Sequence, residues 1–350
     1  MSRVHAVSES SSDSGRMKGR IVLHITNGDA TKIPLEQSGV PGRFSSWDDI
    51  LHEGPTPLAS GEAWLRARAR YFASAGYGGE EEMVRDFGAK DRALDELHDE
   101  DEVVFWFEHD LYDQLLLIRH LWWIGGHHDR ARRFSIVIGT DYLGMLKPAD
   151  FPPRFQRRQP ITDDQIRVGT AAWTAYCGDD PSKLLQFADL APEGRDLPPE
   201  GGSCLPQSCL PHLGRAMRRL LEEFPSADNG LARSERQILE VLSEGDRTPE
   251  QAFIAASRLE DDIWMGDWSF WTIVKGLGAG PHPLVTLDVQ PREGRLPSGQ
   301  VSVTETGRRV LARRADHVRL NAPSRWIGGT RLHSDRQWRW TGSALLPPSP

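Results

Sequence analysis

The sequence predicts an α/β protein: an amino-terminal, parallel, three-layer Rossmann-like domain, a helical connector, and a carboxy-terminal winged-helix-like domain. Three observations carry this. "VVFWF" (Val103 to Phe107) and "FSIVIGT" (Phe134 to Thr140) are continuous apolar runs bounded by charge or glycine, the pattern of strands covered on both faces. Between them "LYDQLLLIRHLWWI" reads as a helix that Gly125-Gly126 ends, so strand, helix and strand alternate. Near the carboxy terminus, three helical stretches precede two strand-like stretches, the order of a winged helix.

The elements follow in order. Residues 1–18 contain "MSRVHAVSESSSDSG", which has no apolar core; they read as a disordered tail rather than a secretory signal, with Met17 as an alternative start. Residues 19–147 form the α/β domain. Ile21 to Thr26 is its first strand, interrupted by His24 and closed by Asn27-Gly28-Asp29. "DDILHEGP" holds a short apolar pair, Ile50-Leu51, taken as a second strand end. Glu62 to Phe72 and Glu80 to Leu97 are helical, the first setting Trp64, Leu65, Tyr71 and Phe72 against Arg66, Arg68 and Arg70. Residues 148–229 are linker and connector: proline- and arginine-rich from Pro148 to Pro160, then helical in two pieces around "APEGRDLPPEGGSCLPQSCLP". Residues 230–342 hold helices in "SERQILEVLSEG", "TPEQAFIAASRL" and "DWSFWTIVKGLG", then strands "HPLVTLDV" and "GQVSVTETG". Thr248 with Pro249 opens the second of these helices. Residues 343–350 read as a second disordered tail.

Composition narrows the classes. The chain has 350 residues, 38% hydrophobic and 26% charged, with a formal net charge of -8. That balance argues against bare nucleic acid as the main partner. No apolar run reaches the roughly 18 residues that cross a bilayer. Three cysteines (Cys177, Cys204, Cys209) form no CxxC pair; free thiols in a reducing cytoplasm are expected.

The polar residues gather where strands end, at Asn27-Gly28-Asp29, His52-Glu53-Gly54, Glu108-His109-Asp110 and Asp141. In a parallel sheet these ends share one edge, where ligands bind. Helix capping alone accounts for Asp110 and Asp141, and Asp113 three residues after Asp110 resembles a capping box. Capping does not account for Glu108, His109 or His24, although a histidine in a strand is more often a core residue than a ligand. Gln114 shares a helix face with Asp110 and is either solvated or part of the site. A rim this acidic suits a divalent cation, with His24, His52 or His109 as nitrogen donors and Mn, Fe, Zn or Mg as the ion by ligand type. Without a cation it suits sugar hydroxyls or an amine. No G-x-G-x-x-G, P-loop or G-x-S-x-G is present.

The third helix of the carboxy-terminal domain has one cation, Lys275, and is a poor surface for a phosphate backbone. Between Gly307 and Trp340 there are nine arginines and two acids, interleaved with Trp326, Trp338 and Trp340. This basic tail either holds nucleic acid or lies across the acidic α/β domain; the second is expected.

"HITNGD", "WDDILHEGP" and "FEHDLYDQ" resemble the bacterial domain-of-unknown-function family eighteen-thirty-five, over about residues 19–145. "GLARSERQILEVL" through "RWIGGTRL" resembles the uncharacterised winged-helix-like domain that accompanies it, with Arg331 where similar proteins tend to carry histidine. The resemblance implies a shared site of Asn27, Gly28, Asp29, His52, Glu53, Gly54, Glu108, His109, Asp110 and Gln114, and no reaction.

The sequence expectation is a cytoplasmic enzyme, a hydrolase or transferase, or an enzyme-derived binder, for a small nucleotide- or sugar-like ligand. Glu108 or His109 would be the acid-base group, Asp29 would position ligand or metal, and Asn27, Gly28, His52, Glu53, Gly54, Asp110 and Gln114 would complete the site. The alternative is a ligand-sensing regulator whose winged helix binds DNA or a protein.

Overall fold

The computed structural model describes residues 21–95, 102–126, 133–188 and 209–348. The expected amino-terminal tail lies outside them. A five-stranded sheet runs in the order β2-β1-β3-β4-β5. Its strands are β1 (Val22–Thr26), β2 (Arg43–Ser46), β3 (Glu102–Phe107), β4 (Arg133–Ile138) and β5 (Gln159–Pro160). The first four pair in parallel and β5 adds an antiparallel edge. β3 is central and buried along its whole length, as its unbroken apolar run demands.

Helices cover both faces of the sheet. On one face lie α4 (Leu111–Gly126), α6 (Asp163–Tyr176) and α7 (Leu213–Leu221), packed on Leu23, Ile25, Phe105 and Phe107. On the other, α1 (Asp29–Glu36) and α5 (Phe151–Gln156) contribute Leu35 and Phe151 against Val104 and Trp106. α2 (Gly61–Ser74) and α3 (Glu80–Asp95) pair with each other beside β2. The three-layer α/β arrangement is as expected.

Three local expectations are corrected. Ile50-Leu51 is not a strand; the second strand is "RFSS", and residues 47–60 form a loop after it. Pro148 to Pro160 is not a free linker: the fully buried Phe151 anchors α5, and β5 joins the sheet. Residues 343–350 are not simply a tail, because β11 (Leu345–Leu346) pairs with β10 (Arg339–Trp340) and Leu345 joins the main core.

The second core belongs to α8 (Arg233–Ser243), α9 (Pro249–Ser257), α10 (Asp267–Leu277) and the hairpin of β6 (Val285–Arg292) and β7 (Arg295–Val303). Thr248 caps α9 through Gln251 N, with Pro249 at the first helical position. Phe270 and Trp271 of α10 are buried in this core. After it come α11 (Glu305–Leu311), α12 (His317–Asn321) and the hairpin of β8 (Arg325–Ile327) and β9 (Thr330–Leu332). No helix among the described residues is long and apolar enough to cross a membrane. Cys177 is free and half-buried, its thiol pushed up to about 12 by desolvation. Cys209 is disulfide-bonded, which corrects the expectation of free thiols throughout.

Candidate functional site

The carboxyl ends of β1 and β3 are neighbours by register, Thr26 facing Trp106. They bring Asn27 to Glu108: Asn27 Nδ2 donates to Glu108 Oε1 at 3.0 Å and to Asp113 Oδ2 at 3.0 Å. Asp110 caps α4 by accepting from Asp113 N at 3.1 Å. The Asp113 carboxylate reaches back to Glu108 N at 2.8 Å, two residues before the cap, so it extends the expected capping box rather than closing it. Glu108 Oε1 also accepts from Leu143 N at 2.8 Å, and Gln114 Nε2 donates to Glu108 O at 2.7 Å.

One ligand atom each of Glu108, Asp110 and Asp113 lies within 4.8 Å of the others, and all three residues are buried. Burial pushes the Glu108 carboxyl up against the hydrogen bonds that favour its charge. Burial, aided by the Glu108 charge, pushes Asp110 up to about 7. Asp113 is held well above the usual carboxylate range by burial and by the Asp110 and Glu108 charges. Like charges crowded in a dry place keep protons. The donor set is all oxygen, which fits Mg or Mn better than Zn.

The histidines are elsewhere. His24 Nδ1 accepts from Trp106 Nε1 at 3.0 Å, its Nε2 faces Pro41 O at 3.2 Å, and its ring stacks on Phe44. Burial lowers it to about 4, so it is a neutral core residue and no ligand of this cluster. His109 turns to the carboxy-terminal domain, its Nε2 3.3 Å from Asp262 Oδ1, while its buried Nδ1 has no partner. Asp29 is corrected as well. It opens α1 in solvent, pairs with Lys32 at 2.7 Å, and has no bond to Glu108 or Asp113 among the described contacts. Asp141 is likewise exposed, paired with Arg154. Gly28 caps α1 with its carbonyl, which accepts from Thr31 N and Lys32 N.

His52, Glu53 and Gly54 lie in the loop after β2. The fully buried Arg68 shapes this loop: it pairs with Asp49 and donates to the carbonyls of Ile50, Glu53 and Pro55. Gly54, at φ +69°, lets the Tyr71 ring approach so closely that a Cβ would lie 2.3 Å from Tyr71 Cδ1. His52 Nε2 sits 3.1 Å from Ser269 Oγ of α10. Tyr77 donates to the Glu53 carboxylate at 3.3 Å, and the Ser269 hydroxyl lies near it. His52 Nδ1 is buried and has no partner among the described residues. Burial lowers His52 to about 3, and burial raises Glu53. No carboxylate among the described residues bonds His52 Nδ1, so Ser269 and His52 lack the third member of a nucleophile triad.

These residues line a cavity of about 460 Å³ between the two domains. Trp264, Met265, Ser269, Thr272, Ile273 and Gly276 line it from the carboxy-terminal domain, and Trp326, Ile327 and Arg331 from the basic tail. A second cavity, of about 480 Å³, has His109, Arg215, Arg219 and Asp262 on its walls and shares Leu111 and Trp264 with the first.

The basic tail lies on folded protein, but its arginines pair within the carboxy-terminal domain rather than across the acidic α/β domain, which it reaches through the bond from Thr56 N to Gly328 O. Arg325 pairs with Glu235, Arg339 with Asp316, and Gly329 N donates to Tyr176 O. Sequence reasoning missed Ser269, Trp264 and Tyr77, which are far from the loop in sequence. It had Asp113 in view only as a capping residue. No protein-family model and no curated protein matches the chain.

Proposed function

We propose that the protein is an enzyme of hydrolase or transferase type that holds a small polar ligand at the carboxyl edge of the parallel sheet, in the crevice its second domain closes. One observation carries this: His52 and Glu53 from the loop after β2 and Ser269 and Trp264 from the other domain meet around one cavity, with His52 Nδ1 and Trp264 Nε1 buried and without partners among the described residues. Ligands of open α/β sheets bind at that edge, and small-molecule sites favour domain interfaces. Buried polar atoms without partners call for a ligand group that supplies them.

Glu53 is the acid-base group of this reading, a carboxyl raised by burial on the cavity wall. Glu108, Asp110 and Asp113 do not line the cavity and form a separate buried cluster suited to a cation. A divalent cation would displace their protons and sit among their oxygens, with Asn27 beside it. The resemblance to family eighteen-thirty-five points to the same loops. The regulatory alternative needs α10 free for DNA, whereas Ser269, Thr272, Ile273 and Gly276 of that helix line the cavity.

A thermal-shift screen against nucleosides, nucleotides, sugars and amines, each with and without Mg²⁺ or Mn²⁺, tests this reading. Stabilisation by one class, diminished in Glu53→Gln, is expected. No stabilisation by any class would overturn it.

A further inference from the structure

We infer that the cavity between the domains takes the base of a nucleoside or nucleotide, with a lactam-type N–H edge against Glu53. This rests on the small-ligand reading above and names the ligand class.

The polar groups define the edge. Glu53 has the Tyr77 hydroxyl as a partner and no ion pair with its side chain among the described residues. Its carboxylate therefore retains acceptor capacity in a place where a charge is expensive. The Arg325 and Arg331 side chains line the same cavity and bring donors. Its walls thus offer an acceptor and donors together.

The remaining walls select shape and charge. Trp264, Trp326 and Tyr71 give flat apolar surface, and Leu111 and Ile273 add aliphatic contact. Gly276 contributes no side chain, and a Cβ there would meet nothing within 4 Å. The volume, about 460 Å³, lies within the range of small-molecule sites.

Three ligand chemistries compete. A free sugar would leave the aromatic walls unused. An amine would find Glu53, but Glu223 is paired with Arg219 and Glu235 with Arg325, and the Arg325 and Arg331 side chains on the same cavity repel a cation. A nucleobase is flat and uncharged and carries donors and acceptors on one edge. Guanine fits best: its ring N–H and amino group can both donate to one carboxylate, and its carbonyl can accept from the Arg325 or Arg331 side chain.

Isothermal titration of the full chain with guanosine, adenosine, ribose and spermidine tests this. Guanosine should bind, adenosine about tenfold or more weakly, the scale of one lost bidentate contact. Ribose and spermidine should not bind. Gly276→Leu, which fills the cavity without touching a polar group, should abolish guanosine binding. The near-isosteric Glu53→Gln guards against misfolding of the leucine variant and should weaken guanosine about tenfold or more. If ribose or spermidine binds instead and Gly276→Leu abolishes that, the base assignment falls and the small-ligand reading stands. Guanosine binding that neither substitution changes also overturns it. Silence from all four ligands overturns the base assignment; only the wider screen above, if also silent, overturns the enzyme reading.

Discussion

Ser269 Oγ lies 3.1 Å from His52 Nε2, joining residues 217 positions apart and fastening α10 to the loop after β2. The contact is buried on the serine side. Ser269→Ala removes a hydrogen bond and leaves His52 Nε2 without its partner. Stability should fall by about 1–3 kcal/mol, the cost of stranding a buried polar group. Urea unfolding measures it, and an unchanged midpoint would remove the contact from what holds the domains together.

The acidic cluster should give a pH signature. Asp110 titrates near 7 in the fold, against about 3.9 in an unfolded chain. Between these values the folded form keeps a proton that the unfolded form has lost. The contribution of this group is therefore whole below about pH 4 and declines as pH rises towards 7. Asp110→Asn keeps an oxygen for Asp113 N and hence the helix cap. The variant should gain on the wild type as pH rises from 4.5 to 8, by at most about 1.4 kcal/mol per pH unit. His24 and His52, lowered to about 4 and about 3, act in the opposite sense, losing stability as pH falls below about 6.5. They are common to both proteins and cancel in the difference. A gap that does not vary with pH would contradict the raised value.

Glu108→Gln separates structure from site. The amide oxygen can still accept from Asn27 and Leu143 N. With one crowded charge removed, the melting temperature at pH 8 should hold or rise. Added Mn²⁺ should stabilise the wild type and not the variant. Equal responses in the two proteins would exclude a cation at this cluster.

Arg68→Met should be the most damaging of these changes. Arg68 is fully buried and its guanidinium also sits over Trp64 and Phe72. Its loss leaves Asp49 buried and unpaired, at a cost of about 3–5 kcal/mol. The loop carrying His52 and Glu53 should loosen with it. Asp49→Leu added to Arg68→Met should recover part of the loss, and thermal melts of both variants check this. If the double variant were no better than the single, the unpaired carboxylate would not be the cause.

Arg68 also shows where sequence reading fails. Reading Arg66, Arg68 and Arg70 together against the apolar residues hid the helical period, which sets Arg68 between Trp64 and Phe72 on the buried face. What the sequence did not show is the return of the 47–60 loop, whose Asp49 and carbonyls meet the Arg68 guanidinium. The edge strand "RFSS" has no apolar run because it has one neighbour and is partly exposed. By contrast β3, α4 and β4 were legible because a doubly covered strand has to be apolar throughout. The Glu108-His109-Asp110 cluster was legible because parallel strands share one edge. Asp29 misled because it stands at such an edge while α1 turns it to solvent. His52 and Glu53 were found at a strand end that does not exist, and their partners Ser269 and Trp264 come from the other domain.

The basic tail offers the last test. Gly328 and Gly329 turn the β8–β9 hairpin against α6, and a Cβ on Gly329 would stand 1.9 Å from Cys177 O. Backbone carbonyls at a helix end have little room to retreat, so Gly329→Ala must lift the hairpin. Lifting it breaks the bond from Gly329 N to Tyr176 O and the bond from Thr56 N to Gly328 O. The latter reaches the loop of His52 and Glu53. Trp326, Ile327 and Arg331 would leave the cavity wall with it. Limited trypsin digestion should therefore cut the variant at Arg325 or Arg331 while the rest of the chain stays whole, and any ligand of the cavity should bind more weakly. The wild type should resist at both arginines, Arg325 being held by Glu235 and by Glu223 O. Equal digestion of the two proteins would mean that the hairpin is not held by this contact, and the tail would cease to be a wall of the site.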